Sequence, residues 1–247
     1  MARAAVHGRL MMMLRWLPGT VADIRVETPT SRTIVFDVPD WPGHLAGQHI
    51  DVRLTAEDGY STQRSYSLAA PPDEDRIEIM VQEVPDGEVS PFLVRDLMLD
   101  DVIELRGPIG GWFTWQPALD VPVSLVAGGS GIVPLMAMIR ARTQAGSDTG
   151  FKLLYSVRGP ADEYYAEELG KHDIDVTRIY TRATSPSGRP AGRVGPADLA
   201  TLWPADAGAR TYVCGPTGFV EAAAKMLVDH GYDPGTIRTE RFGPSGG

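Results

Sequence analysis

The stretch Val121-Pro-Val-Ser-Leu-Val-Ala-Gly-Gly-Ser-Gly-Ile-Val-Pro134 decides how the rest of the chain is read. Val121–Ala127 is an apolar run, the pattern of a strand buried on both faces. Gly128-Gly-Ser-Gly131 turns the chain, and Val133–Arg142 reads as a helix that tolerates Pro134 in its first turn. A strand, a glycine turn and a helix in that order suit a pyrophosphate. The glycines let the backbone come close, and the free N–H groups at the positive helix end receive the charge. The spacing departs from G-x-G-x-x-G, because Pro134 stands where the third glycine would be. Taken alone, the motif fits a glycine-rich turn without a ligand as well.

Strand and helix keep alternating after this point. Lys152–Val157 and Val176–Thr181 read as strands around a helix near Tyr164–Leu169. A loop rich in Ser, Pro, Gly and Arg at 182–196 leads to strand Thr211–Cys214 and helix Gly218–His230. Such alternation calls for a parallel sheet covered by helices, an α/β domain. The residues before Val121 follow another period. Thr33–Val38, His49–Leu54, Arg64–Leu68, Ile77–Gln82 and Val102–Leu105 are short strands separated by Pro-Asp, Asp-Gly and Pro-Pro signals. That spacing predicts a closed or nearly closed antiparallel β-barrel. One helix is expected at Ser90–Leu97, with Ser90 as N-cap and Pro91 at its first position. Two domains follow, 1–117 (with 1–15 as an extension) and 118–247, the boundary falling near Gln116–Asp120.

Composition removes several classes. A net charge of −9 argues against a nucleic-acid partner, since phosphate binding needs a cationic face. The acidic excess lies in the first half, whereas the second half is nearly neutral and suits an anionic ligand better. With a single cysteine, Cys214, the chain cannot form an internal disulfide or hold an iron–sulfur centre on four thiolates. The five histidines are scattered without metal-ligand spacing, so no metal site is expected. No apolar run approaches the roughly 18 residues of a membrane span. Arg3 and Arg9 precede the apolar run Leu10–Leu14, but Arg15 ends it short of the about seven residues a signal core requires. A cytoplasmic location is expected. Translation starting at Met1 or within Met11–Met13 is equally compatible with the sequence.

Two more segments carry chemistry. In Arg64-Ser65-Tyr66-Ser67, the arginine suits a bidentate phosphate contact, and Tyr66, two positions on, could lie against an aromatic ring system. Gly87-Glu88-Val89-Ser90 leads into the short helix, whose N-terminal N–H groups could take a second anionic group. Each has a plainer reading, as an exposed strand and as a simple cap.

Arg64-Ser-Tyr-Ser67, Gly87-x-x-Ser90, Gly107-Pro-x-Gly110, Gly128-Gly-Ser-Gly-x-x-Pro134, Cys214-Gly-Pro216 and Glu240-Arg-Phe242 follow one another from about Trp16 to Phe242. In that order they resemble the ferredoxin–NADP reductase superfamily. The resemblance implies a six-stranded flavin-binding barrel followed by an α/β domain binding NAD(P). It implies FAD rather than FMN as flavin, and NADPH or NADH as substrate. Arg64, with Ser65 beside it, would hold the flavin phosphate. Tyr66 would pack on the isoalloxazine, and Ser67 would bond near flavin N5. Glu88, Val89 and Ser90, entered from Gly87, would offer N–H groups to the pyrophosphate. Gly128, Gly129, Ser130, Gly131, Val133 and Pro134 would cradle the nicotinamide dinucleotide. Cys214, with Gly215 and Pro216, would sit beside the nicotinamide, while Glu240 and Phe242 would close the flavin's other side. Ser67, Cys214 and Glu240 are the expected catalytic residues. Cys214 also reads as a small buried hydrophobe, and Glu240 as a solvated acid near a terminus. The chain departs from many relatives in having Val133 where they carry Thr and Phe219 where they carry Met.

Arg158, Arg182, Arg189 and Arg193 stand at or just beyond the ends of the second and third strands of the second half. An NAD-preferring site commonly has an acid there, whereas arginines suit a 2′-phosphate. This favours NADPH, through Arg158, Arg182 and Arg193. The competing reading makes them solvated charges offset by Asp162, Glu163, Glu167 and Glu168. The expected reaction takes hydride from NAD(P)H onto flavin and passes electrons to a separate protein acceptor, a ferredoxin or partner redox enzyme. Two alternatives are a free flavin or quinone reductase and a non-catalytic flavin-binding subunit. Arg3, Arg9 and Arg15, with no acid before Asp23, are a candidate docking segment for an acidic acceptor.

Overall fold

The computed structural model describes residues 15–243. Arg3, Arg9 and Leu10–Leu14 lie outside the described residues. Two compact units divide between Thr114 and Trp115.

The first unit is one six-stranded antiparallel sheet. Its strands are β1 (Leu17–Thr28), β2 (Ser31–Asp37), β3 (His49–Thr55), β4 (Ser61–Ser67), β5 (Arg76–Gln82) and β6 (Val102–Ile109), in the order β4-β3-β6-β1-β2-β5. The two edge strands meet where the bridge Leu68↔Ile79 joins them, and Ala69 N–H donates to the Glu78 carbonyl (2.7 Å). Closure removes the open edges that would otherwise invite pairing with another chain. Ile34, Phe36, Ile50, Val52, Ile79 and Leu105 fill the interior. On the outside, the Trp16 ring lies under two guanidinium groups, Arg53 at 4.1 Å and Arg106 at 4.7 Å from its centroid. Glu104 grips Arg53 through two bonds (2.8 and 2.6 Å), and Arg106 donates to Asp51 (2.6 Å). The double stack therefore ties the start of β1 to β3 and β6.

The expected helix after β5 forms with a different start. A turn α1 (Val89–Pro91) runs on as a π-helical stretch, Phe92–Asp96, and its N-cap is Glu88. Ser90 is thus inside the first turn and not the cap. Its Oγ reaches back to accept the Val84 N–H (3.0 Å), so the hydroxyl fixes the loop ahead of the helix.

The second unit holds a parallel five-stranded sheet. Its strands are β7 (Val123–Gly128), β8 (Phe151–Val157), β9 (Asp175–Tyr180), β10 (Arg210–Pro216) and β11 (Ile237–Phe242), ordered β11-β10-β7-β8-β9. Every residue of β7 is buried, as an inner parallel strand requires. Helices α2 (Ile132–Gln144), α3 (Ala166–Leu169) and α4 (Thr217–Asp229) lie between strands. The order runs outward from β7 through β8 to β9, then returns to the other side of β7 with β10 and β11. The topological switch point is therefore the gap between β7 and β10. Open parallel sheets bind ligands outside the strand ends at that gap. Among the described residues no helix is long and apolar enough to cross a membrane.

Candidate functional site

In the first unit, β4 and the start of α1 come together. Strand alternation puts Arg64 and Tyr66 on one face, with Ser65 and Ser67 on the other. Arg64 is exposed, and its Nη1 turns back on the Gln63 carbonyl (2.6 Å) and Thr62 Oγ1 (3.4 Å). Among the described residues it makes no ion pair, so its charge is open to an anion. Tyr66 packs half-buried against the barrel core, and burial pushes its phenol up, so it acts as an uncharged aromatic surface. Ser65 points elsewhere, donating to Asp51 Oδ1 (2.6 Å) within the outer network that includes Arg106. Tyr60, ahead of β4, donates its hydroxyl to Glu88 Oε2 (3.1 Å) and links the strand to the N-cap of α1. Gly87, Glu88, Val89 and Ser90 thus lie beside the arginine strand, with first-turn N–H groups that no helical carbonyl can use. A bidentate cation and a row of N–H groups, side by side, fit a dinucleotide's phosphates.

In the second unit the switch point brings the glycine loops together. Gly128 ends β7, Gly129 takes the left-handed conformation (φ 56°), and Gly129–Gly131 form a 3-10 turn into α2. A Cβ at Gly131 would overlap the carbonyl of Cys214 at the end of β10. The backbone that opens α2 therefore rests directly on the backbone of the Cys214-Gly215-Pro216 loop. Ser130 is half-buried at the turn, Val133 is buried, and Pro134 sits in the first turn, where its missing N–H costs no helical bond. Buried there, Val133 needs no hydrogen-bond partner, as a threonine hydroxyl would.

Cys214 is 1% exposed, and burial, reinforced by Glu240, pushes its thiol well up. It is held as a neutral thiol and not as a thiolate nucleophile. Glu240 stands opposite Cys214 in the β10–β11 register, and Phe242 stands opposite Pro216 with 37% of its surface exposed. The strand carrying both was unforeseen in the sequence, where the chain end lacked a recognisable strand pattern.

The rim arginines sort into two kinds. Arg158 and Arg182 leave β8 and β9 side by side, the Arg182 N–H donating to the Arg158 carbonyl (2.8 Å). Gly192 N–H returns to the Tyr180 carbonyl (3.1 Å), bringing Arg193 to the same end of β9. All three side chains are exposed, and none makes an ion pair among the described residues. Arg189 is committed instead to Asp198 through two bonds (2.7 and 2.8 Å) and to the Arg193 carbonyl (2.7 Å). Two of the acids expected to offset the rim are occupied as well. Glu163 is buried between Arg178 (3.1 Å) and the Tyr180 hydroxyl, and Glu168 pairs with Arg140 (2.7 Å).

Comparison with known proteins agrees with this arrangement. Residues 19–114 match the oxidoreductase FAD-binding domain and residues 125–225 the oxidoreductase NAD-binding domain. The ferredoxin–NAD(P)+ reductase component of the naphthalene 1,2-dioxygenase/salicylate 5-hydroxylase systems of Ralstonia sp is 28% identical, over 94% of this chain and 70% of its own length. The reductase component of propane 2-monooxygenase from Mycolicibacterium goodii is 30% identical, over 84% of this chain and 64% of its own. The flavohem-like FAD/NAD-binding domain of nitric oxide dioxygenase from Vibrio cholerae shares the fold, with a TM-score of 0.82 at 24% identity, covering 92% of this chain and 99% of that one. The chain belongs to the ferredoxin–NADP reductase superfamily. It is an NAD(P)H-dependent flavoprotein oxidoreductase, with FAD as its flavin.

The contact at Gly131 yields a direct expectation. Gly131→Ala must push α2 away from the end of β10, costing about 1–3 kcal/mol as overpacking does. Its thermal unfolding midpoint and NAD(P)+ affinity should both fall, while the first unit keeps its flavin. Absorbance at the flavin band together with calorimetric titration of NAD(P)+ measures the two effects separately.

Proposed function

We propose that this chain draws hydride from NADPH, in preference to NADH, and hands the electrons singly to a separate protein, a ferredoxin or the terminal component of an oxygenase system. The observation that supports this reading is the glycine-rich turn at the switch point of the parallel sheet, in a sequence with one cysteine. Bound FAD supplies the conversion of a two-electron hydride into single electrons. One thiolate cannot hold an iron–sulfur cluster, so we place the one-electron carrier outside these residues. The two curated relatives are by name reductase components of a dioxygenase and a monooxygenase, which supports a protein acceptor over free flavin or quinone. We place the reaction in the cytoplasm, where NAD(P)H is generated.

In this reading Arg64 and the N–H groups of Glu88–Ser90 bind the phosphates of FAD, and Tyr66 offers its ring to the isoalloxazine. Ser67 would offer its hydroxyl near flavin N5. The loops at Gly128–Pro134 and Cys214–Pro216 receive the dinucleotide, and the neutral Cys214 shapes the nicotinamide end by its bulk. Arg158, Arg182 and Arg193 supply the positive charge for a 2′-phosphate, since the nearby acids Glu163 and Glu168 are engaged elsewhere.

Three measurements test this. Arg64→Ala removes a charge-assisted phosphate contact of about 1.5–3 kcal/mol and should release most of the flavin on gel filtration. Arg182→Ala should lower kcat/KM for NADPH and leave that for NADH nearly unchanged; an equal loss for both would show that this arginine does not read the 2′ position. The acceptor is tested by comparing NADPH-driven reduction of ferredoxins and oxygenase components with reduction of ferricyanide, free flavin and quinones. Efficient turnover with the small molecules and none with any protein would overturn the protein-acceptor reading.

A further inference from the structure

At the switch point one side chain stands out, Phe219, where the chain departs from many relatives. Phe219 lies in the first turn of α4, and it is half-buried where its neighbours Pro216, Thr217 and Gly218 are exposed. Its ring covers two glycines at once. A Cβ on Gly128 would come within 2.6, 2.7 and 2.9 Å of three ring atoms, and a Cβ on Gly215 within 2.8 Å of one of them. The same Cβ on Gly215 would stand only 3.1 Å from the Gly128 carbonyl oxygen and 3.2 Å from its Cα. The two glycines therefore face each other across the β7–β10 gap, and the ring fills the volume their missing side chains leave. Gly128 begins the turn into α2, and Gly215 lies in the loop before α4. These are the two loops between which a ligand at the switch point must lie.

We propose that Phe219 is a positioning residue for the nicotinamide nucleotide: its ring fixes the spacing of the glycine loops that end β7 and β10. This rests on the reading of that gap as the dinucleotide site. A flexible aliphatic chain would fill the space without imposing one separation, whereas a planar ring packed on two backbones holds them at the width of the ring. Gly128 is required, on this account, because the ring leaves no room for a Cβ. A ligand passing over the loop need not be what excludes it. The two explanations predict different behaviour when the ring is removed.

The test uses the full chain loaded with FAD, with NAD+ and NADP+ as titrants and the flavin reduction rate at saturating NAD(P)H as a second readout. Phe219→Ala should weaken the dinucleotide and slow flavin reduction, each by roughly ten- to a hundredfold, the scale on which a misplacement of about 1 Å acts. Phe219→Leu, which keeps an apolar fill, should retain the unfolding midpoint while still losing affinity. Gly128→Ala should lose affinity by a similar factor. The decisive variant is the double one, since Gly128→Ala with Phe219→Ala should bind more tightly than Gly128→Ala alone, the added methyl now occupying space the ring has vacated. Wild-type affinity and reduction rate in both Phe219 variants would overturn the proposal. So would losses that simply add in the double variant, because Gly128 would then be excluded by the ligand and not by the ring. A wild-type chain that binds neither NAD+ nor NADP+ would instead sink the dinucleotide reading itself, an outcome distinct from either.

Discussion

The second unit depends on a contact between two stretches of backbone with nothing between them. The start of α2 rests on the Cys214 carbonyl because Gly131 has no side chain, and this draws the ends of β7 and β10 together where the strand order reverses. A parallel sheet whose outer strands lie on both sides of its first strand leaves a gap there as a matter of topology. Here the glycine backbone of both loops comes to the gap, with the Phe219 ring packed over Gly128 and Gly215. The glycine turn into α2 suits a chain of phosphates, whose oxygens need donors at close range and whose charge a helix end can balance.

How much of this could be read from the sequence depended on whether the local signal and the tertiary constraint agreed. They agreed at Val121–Gly131, where an apolar run and a glycine turn mean the same thing at both levels. They disagreed at β1. The sequence predicts no strand before Thr33, yet β1 begins at Leu17, and Gly19 near its start leaves the place of a Cβ to the Leu105 side chain. They disagreed again at Ser90, a good N-cap by type, whose hydroxyl instead serves the Val84 N–H from inside the first turn. The last strand, β11, carries Arg238, Glu240 and Arg241 among its six residues, which weakens its strand pattern; pairing with β10 creates it. Motif order agreed with the two-domain architecture. Motifs could not tell which arginines were free, because that depended on Asp198 reaching Arg189 and on Glu163 being buried under Tyr180 and Arg178.

The distribution of charge at the rim has its own logic. Burial, with Glu163 beside it, pushes the Tyr180 phenol up to about 12, so Glu163 keeps a neutral donor as well as Arg178 across the working pH range. An acid tied down in this way no longer cancels the exposed arginines a few residues away. The unit as a whole is nearly neutral, yet one edge of it is positive. Net charge therefore says little about local affinity here, since the field a ligand meets is set by which charges are already paired.

The double stack on Trp16 bears on how this chain could be joined to others. An indole in contact with Arg53 and Arg106, each anchored by its own carboxylate, makes the entry into β1 a fixed point of the barrel. Leu17 next to it pairs with Leu105 and is buried. A fusion or deletion that ends before Arg15 leaves these contacts whole. One that removes Trp16 strips the cover from two cations and unpins the strand that separates β2 from β6. For anyone splicing this reductase to a partner domain, the safe junction lies on the N-terminal side of that indole.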